Sequence, residues 1–284
     1  EKKMTAALVS SIKEIAVPID LKDPQREALF AQGLKLALGG EGVVTLIHAA
    51  HNPVSANWLD MPTAREMLHR WGVIEDQATY EDFAKLHVRV CPVTVSGPDT
   101  AAALQSELVR RAPDLLIIGN HNRSGVQRLI RGSIAESVVR KTHLPALFLG
   151  ENAQPMVDPA TGATKIQKIL VPISNNLNQQ PLIDYLQRLL YTLAATPVLV
   201  TFVHCGGAAD AMPALDLPSR PDWAFHTDRR GGPVVDGILA AATEHKVDLI
   251  AMATEGHNSL VDAIVGSKTE RVIHRSPVPV LAVP

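Results

Sequence analysis

Residues 119–133 read GNHNRSGVQRLIRGS, and residues 253–267 read ATEGHNSLVDAIVGS, a degraded copy of the same stretch. Each follows a short apolar run, DLLII at 114–118 and DLIAM at 248–252, and each precedes an amphipathic segment. A strand, a glycine-bearing loop and a Gly-Ser pair at a helix start together present backbone N–H groups to a phosphate. The recurrence makes the chain a duplication, and the differences between the copies bear on which one binds.

Two further landmarks extend the repeat outward. EIAVPID at Glu14 to Asp20 is matched by KILVPIS at Lys168 to Ser174, and VTLIHAA at 44–50 by LVTFVHCG at 199–206. Val17 and Val171 are offset by 154 positions (171 − 17), whereas Gly132 and Gly266 are offset by 134 (266 − 132). The first repeat therefore carries about 20 extra residues between those landmarks. Ser55 to Lys85 is the place for them, because TAREMLHRWG and TYEDFAKL within it read as short helices.

Alternating strands and helices follow in each repeat. In the first, strand 15–19 leads to a helix at 24–38, with Asp23 as N-cap, Pro24 at the first helical position and Gly39-Gly40 as the stop. Strand 43–48, the insertion, strand 88–95, a helix from Asp99 to Arg111, strand 115–118, the glycine loop, helix 133–141 and strand 146–149 complete it. The second gives strand 169–173, helix 182–194, strand 198–204, an irregular stretch rich in Pro and Asp, helix 234–245, strand 249–253, helix 267–275 and strand 280–283. Short apolar strands between helices predict parallel sheets covered on both faces. The expected fold is α/β, two tandem doubly wound five-stranded parallel-sheet domains, at 1–150 and 165–284, with 151–164 (ENAQPMVDPATGAT) as linker.

Bulk properties agree with two soluble domains in 284 residues. Hydrophobic residues make up 46% of the chain, enough for two cores. A formal charge of −2 gives no pull toward nucleic acid or an anionic membrane. No run reaches the roughly 18 apolar residues that a membrane span needs, and no secretory segment opens the chain. The three residues before Met4 read as a remnant ahead of the start. Cys91 and Cys205 fall in different repeats without a CxxC partner, which argues against a disulfide framework or structural zinc and for a reducing cytoplasm.

The loop chemistry separates the copies. From Asn122 to Ser133 there are three arginines, Arg123, Arg128 and Arg131, and no acid; from Gly256 to Ser267 there is Asp262 and no Lys or Arg. A polyphosphate favours the first, although arginines are also common on any solvated face. Ser133 with Glu136, and Ser267 with Glu270, form capping boxes, which alone would account for the serines. Asp20 ends the first strand, where a carboxylate could accept from ribose hydroxyls at the carboxyl edge of a parallel sheet; Ser174 takes its place in the second repeat.

These residues resemble a tandem universal stress protein, two universal stress domains in one polypeptide with an adenine nucleotide alpha hydrolase-like fold. The ATP-binding branch of that family has G-x2-G-x9-G-[S/T] after strand four and a Pro-x-Asp ending strand one. Pro18, Asp20, Gly119, His121, Gly132 and Ser133 match in register; Asn122 replaces a glycine, and Asn tolerates the left-handed backbone best after glycine. In the second repeat Gly256, Gly266 and Ser267 are kept, with Ala253 and Ser174 as departures. The resemblance implies ATP, or AMP or ADP, in repeat 1, with Mg2+ possible. It implies adenine near Ala49, ribose at Asp20 with Ile118 nearby, and phosphates over Gly119, Asn122, Gly132, Ser133 and Ile134, with His121 and Arg123 close by. It also implies pairing of the two repeats through their last strands as an intramolecular pseudo-dimer, a possible homodimer beyond it, and no nucleic-acid or membrane partner.

Other chemistry is weaker. His48 and His51 straddle a strand end, as does His204-Cys205, and neither spacing converges on a metal. Cys91 reads as a buried, inert strand thiol. No G-x-S-x-G elbow is present. The expected function is an adenine nucleotide-binding stress-response regulator with at most slow hydrolysis. The alternatives are an interaction protein with relic loops and a nucleotide-cleaving enzyme whose catalytic pair is not visible.

Overall fold

A computed structural model describes residues 10–50, 57–120, 142–206, 212–254 and 268–284. Among the described residues ten strands form one sheet: β1 (Glu14–Pro18), β2 (Val43–Ala50), β3 (Arg89–Ser96), β4 (Leu115–Asn120), β5 (Ala146–Gly150), β6 (Lys168–Ile173), β7 (Val198–Cys205), β8 (Trp223–Arg230), β9 (Leu249–Ala253) and β10 (Val280–Val283). Their order is β3-β2-β1-β4-β5-β10-β9-β6-β7-β8. Neighbours run parallel except β5 and β10, which pair antiparallel with Leu281 opposite Leu147. The helices are α1 (Arg26–Gly40), α2 (Ala64–Arg70), α3 (Tyr80–Ala84), α4 (Thr100–Arg111), α5 (Gln180–Thr192), α6 (Val234–Glu244) and α7 (Lys268–Arg275).

The period of two along each strand builds two cores. Ile15, Val17, Leu115, Ile117, Ile169, Val171, Leu281 and Val283 face α1 and α5. Ala16, Leu116, Leu170, Ile250, Val280 and Ala282 face α4, α6 and α7. Each core takes side chains from both halves of the chain, so the sheet is buried on both sides, as a parallel sheet requires.

Local sequence explains the helix starts. Asp99 accepts from the amides of Ala101 and Ala102 at the head of α4. Thr63 with Glu66, and Thr79 with Asp82, close capping boxes on α2 and α3, the two helices of the insertion. Helix α1 corrects the expected cap. Asp23 accepts from Gln25 N at 2.7 Å and so shapes the turn before the helix, whose N-cap is Gln25. Gly39 and Gly40 also differ from expectation, being the last turn of α1 rather than its stop, and Glu41 takes the left-handed position (φ 52°). A Cβ at Gly39 would lie 1.8 Å from the carbonyl oxygen of Thr192, and one at Gly40 would lie 2.0 Å from that of Ile12. Glycine is needed there for close approach of α1 to α5 and β1.

One strand is absent from the sequence reading. β8 pairs in parallel with β7 from Trp223 opposite Val198 to Arg230 opposite Cys205. It forms the sheet edge: Trp223 is buried, Phe225 stacks on Phe202 at 6.1 Å, and the end of the strand is a charged network in which Asp228 accepts from Arg230 and His245. The segment 151–165 packs closely: Met156 and Val157 are fully buried, and buried Gln32 bridges both the amide and the carbonyl of Val157. The insertion rests on this segment. Trp71 donates its indole N–H to Pro159 O at 2.9 Å and lies over Gly162, where a Cβ would come within 2.5 Å of the ring.

Candidate functional site

In a parallel sheet the strand order reverses at a switch point, and the crevice outside the carboxyl ends there is the natural ligand position. This sheet has two such points, β1 between β2 and β4, and β6 between β7 and β9. Both corners are built the same way. Asp114 accepts from the amides of Lys13 and Glu14 to fix the start of β1, and Asp248 accepts from Gln167 and Lys168 to fix the start of β6. At the carboxyl ends, His48 Nδ1 meets Ile19 O at 3.0 Å, and His204 Nδ1 meets Ile173 O at 3.1 Å. A carbonyl only accepts, so each ring donates through Nδ1 and, when neutral, has Nε2 as an acceptor. Asp20 Oδ1 accepts from Lys22 N and Ser174 Oγ from Asn176 N, so the two residues close equivalent turns.

The surroundings differ. In the first half the insertion places Trp58 edge-on to His48, with ring centroids 6.3 Å apart, and its indole N–H donates to Thr94 Oγ1 of β3. Gln25 sends its amide N–H groups to the carbonyls of Gly150 and Glu151 at 2.8 and 2.9 Å. In the second half a cavity of about 450 Å³ opens at the carboxyl ends of β6, β7 and β9. Ile173, Val203, Ile238 and Met252 form its apolar wall, and Ser174, Thr254, Lys268 and Arg271 also line it. The Cys205 thiol lines it too; burial pushes that thiol above its ordinary value, against activation as a nucleophile.

Of the residues singled out in the sequence, Pro18, Asp20, Ala49, Ile118 and Gly119 lie at the carboxyl ends of β1, β2 and β4. The Ile118 side chain is 4% exposed and belongs to the core under α4, while Gly119 pairs with Leu149 in the ladder. His121, Asn122, Arg123, Gly132, Ser133 and Ile134 lie outside the described residues. So do Arg128, Arg131, Glu136, helix 133–141, His51, Gly256, Asp262, Gly266 and Ser267. Among the described residues no group of three His, Cys, Asp or Glu could hold a metal, and no helix is long and apolar enough to cross a membrane.

Sequence reasoning missed two features here. Trp58 was hidden in an insertion without repeat counterpart. Gln25 and Gln179 carried a usable signal, since they share the 154-position offset of Val17 and Val171 (179 − 25). Both are N-caps of the first helix of their half.

The Universal stress protein family model matches residues 11–149 and 224–284. A universal stress protein from Archaeoglobus fulgidus is 17% identical, with 95% of this chain and 97% of that one covered at a TM-score of 0.59. A functionally unknown protein from Pseudomonas aeruginosa PAO1 is 14% identical, covering 97% and 93% at 0.60. The cytoplasmic domain of a prokaryotic cation chloride cotransporter is 12% identical, covering 95% of each chain at 0.51. At these identities the likeness is one of fold. None of the curated proteins matches the chain.

Proposed function

Because the chain belongs to the universal stress protein family, we propose that it acts as a nucleotide-responsive regulatory module whose adenine nucleotide sits in the first half. The observation that carries this reading is the switch point at β1, which gathers Asp20, Ala49 and Gly119 at one sheet end. Asp20 uses Oδ1 to hold its own turn, leaving Oδ2 to accept from a ribose hydroxyl. The arginine-bearing loop that follows Gly119 in the sequence supplies cations and backbone amides for the phosphates of ATP, AMP or ADP. Mg2+ enters only as the polyphosphate's own counter-ion. The halves, 1–150 and 165–284, act as two domains of an intramolecular pseudo-dimer, supported by the β5–β10 pairing. A homodimer would need another surface, because both strands are already paired. Free thiols at Cys91, which is half-buried rather than buried as expected, and at Cys205 suit a cytoplasmic setting.

Calorimetric titration with ATP tests this on the wild type, Asp20→Ala and Gly132→Glu. Binding by the wild type, weakened about tenfold or more in both variants, is expected. No binding at millimolar ATP would sink it. A second reading, an interaction protein that holds no nucleotide, draws support from Trp58 standing over the end of β2. It predicts no thermal shift with ATP and no nucleotide carried through purification.

A further inference from the structure

The second half holds polar atoms that the fold leaves unused. Gln179 is 3% exposed and His204 is 7% exposed. Among the described residues, both atoms of the Gln179 amide, and His204 Nε2, have no hydrogen-bond partner. All three belong to side chains lining the 450 Å³ cavity. Buried polar groups are nearly always satisfied, and one left open costs its full desolvation. At the equivalent position in the first half the Gln25 amide N–H groups reach two backbone carbonyls, whereas its Oε1 is open like that of Gln179.

The unmet demands describe a ligand. Gln179 offers two donors and an acceptor; His204, donating from Nδ1 to Ile173 O, offers an acceptor at Nε2. A head group with both a donor and an acceptor, such as a hydroxyl or an amide, meets them deep in the cavity. The walls beyond are apolar, from Ile173, Val203, Ile238 and Met252. Lys268 and Arg271, both exposed, line the same cavity, and no carboxylate lines it among the described residues. We propose that the second half binds a small organic oxyanion other than a nucleotide, a carboxylate or a base-free phosphate monoester, with its hydroxyl or amide head on Gln179 and His204 and its charge toward Lys268 and Arg271. This site is separate from the nucleotide site of the first half and does not depend on it.

Two measurements on the full chain decide the matter. The first is thermal melting of ligand-free wild type and Gln179→Leu; His204 is left in place because its Nδ1 holds Ile173 O. If the open amide is kept for a ligand, replacing it with an apolar group of similar shape leaves the melting temperature unchanged or raises it by about 2–4 °C. A fall of that size would show that the amide is structural and overturn the proposal. The second is saturation-transfer NMR with 4-hydroxybenzoate, 4-hydroxyphenyl phosphate and the uncharged 4-hydroxybenzyl alcohol. At least one anion should bind at least tenfold tighter than the alcohol, and binding should be lost in Gln179→Leu and weakened about tenfold in Arg271→Ala. The stronger of the two anions identifies carboxylate or phosphate as the natural charge. Equal binding of all three probes, or of none, overturns the proposal. So does AMP bound with loss in Gln179→Leu and no loss in Asp20→Ala, which would make this the nucleotide site.

Discussion

Asp114 joins backbone, charge and the contact between halves in one side chain. Burial works against its ionisation, but the amides of Glu14 and Lys13 and the Arg188 guanidinium outweigh it and hold the carboxyl below its ordinary value of 3.8. Its own carbonyl accepts from Tyr185 of α5 at 2.8 Å. Asp114→Ala leaves two amides without an acceptor and should cost about 2–3 kcal/mol at neutral pH; the ion pair itself adds little at a side chain 31% exposed. Because the folded pKa is depressed, the stability Asp114 contributes is present above 3.8 and lost as pH falls through the lower folded value. Denaturant melts of wild type and variant should therefore converge below that pH, and a gap that widens on acidification would contradict the argument. Gly39→Ala is a second residue-scale prediction. Its Cβ meets a backbone carbonyl that cannot step aside, so it should cost more than about 2 kcal/mol. Gly72→Ala at φ 69° has open space around it and should cost only its backbone strain, about 1 kcal/mol.

At the scale of elements, the sequence was most legible where a strong local signal met a buried face. Helix α4 begins at its Asp99 cap and ends at Arg111 as expected, and the insertion helices form at their Thr caps. β8 was illegible because its WAFHTDRR sequence has no sustained apolar alternation, its second half being charged side chains that pair with one another, as Arg230 does with Asp228. The start of α1 was misread because a good local cap competes with a tertiary one: Gln25 is held at the helix entrance by contacts 125 residues away, which no local pattern encodes. Pro18, Asp20, Ala49, Ile118 and Gly119 fall at strand ends, as the strand pattern in the sequence places them, while the cavity of the second half depends on unsatisfied atoms that only packing reveals. The insertion also gives a prediction. Met67 is fully buried, and Trp71 clamps the segment after β5 through Pro159 and Gly162. Met67→Ala should cost about 2–5 kcal/mol and Trp71→Ala about 3 kcal/mol. Both should increase protease cleavage at 151–165, which mass spectrometry of a timed digest would detect.

The whole molecule behaves as one cooperative body in this view. Each core draws on both halves, and Thr192 ties them again by accepting from Ile12 N while donating to Arg188 O. Thermal melting followed by circular dichroism and by tryptophan fluorescence should give coincident single transitions. Residues 1–150 and 165–284 expressed separately would each expose the edge of a last strand, β5 or β10, both of them apolar. Such edges pair with whatever is offered. Each half alone should self-associate on size-exclusion chromatography with light scattering, and mixing should recover a 1:1 pair; two stable monomers that ignore each other would refute the shared-core argument.

The antiparallel step between β5 and β10 has a directional consequence. Among the described strands polarity reverses there and nowhere else, so the first half points its carboxyl ends to one long margin of the sheet and the second half to the other. Two mouths on opposite margins cannot be shut by the same lid. A surface that covered one of them would leave its counterpart facing solvent.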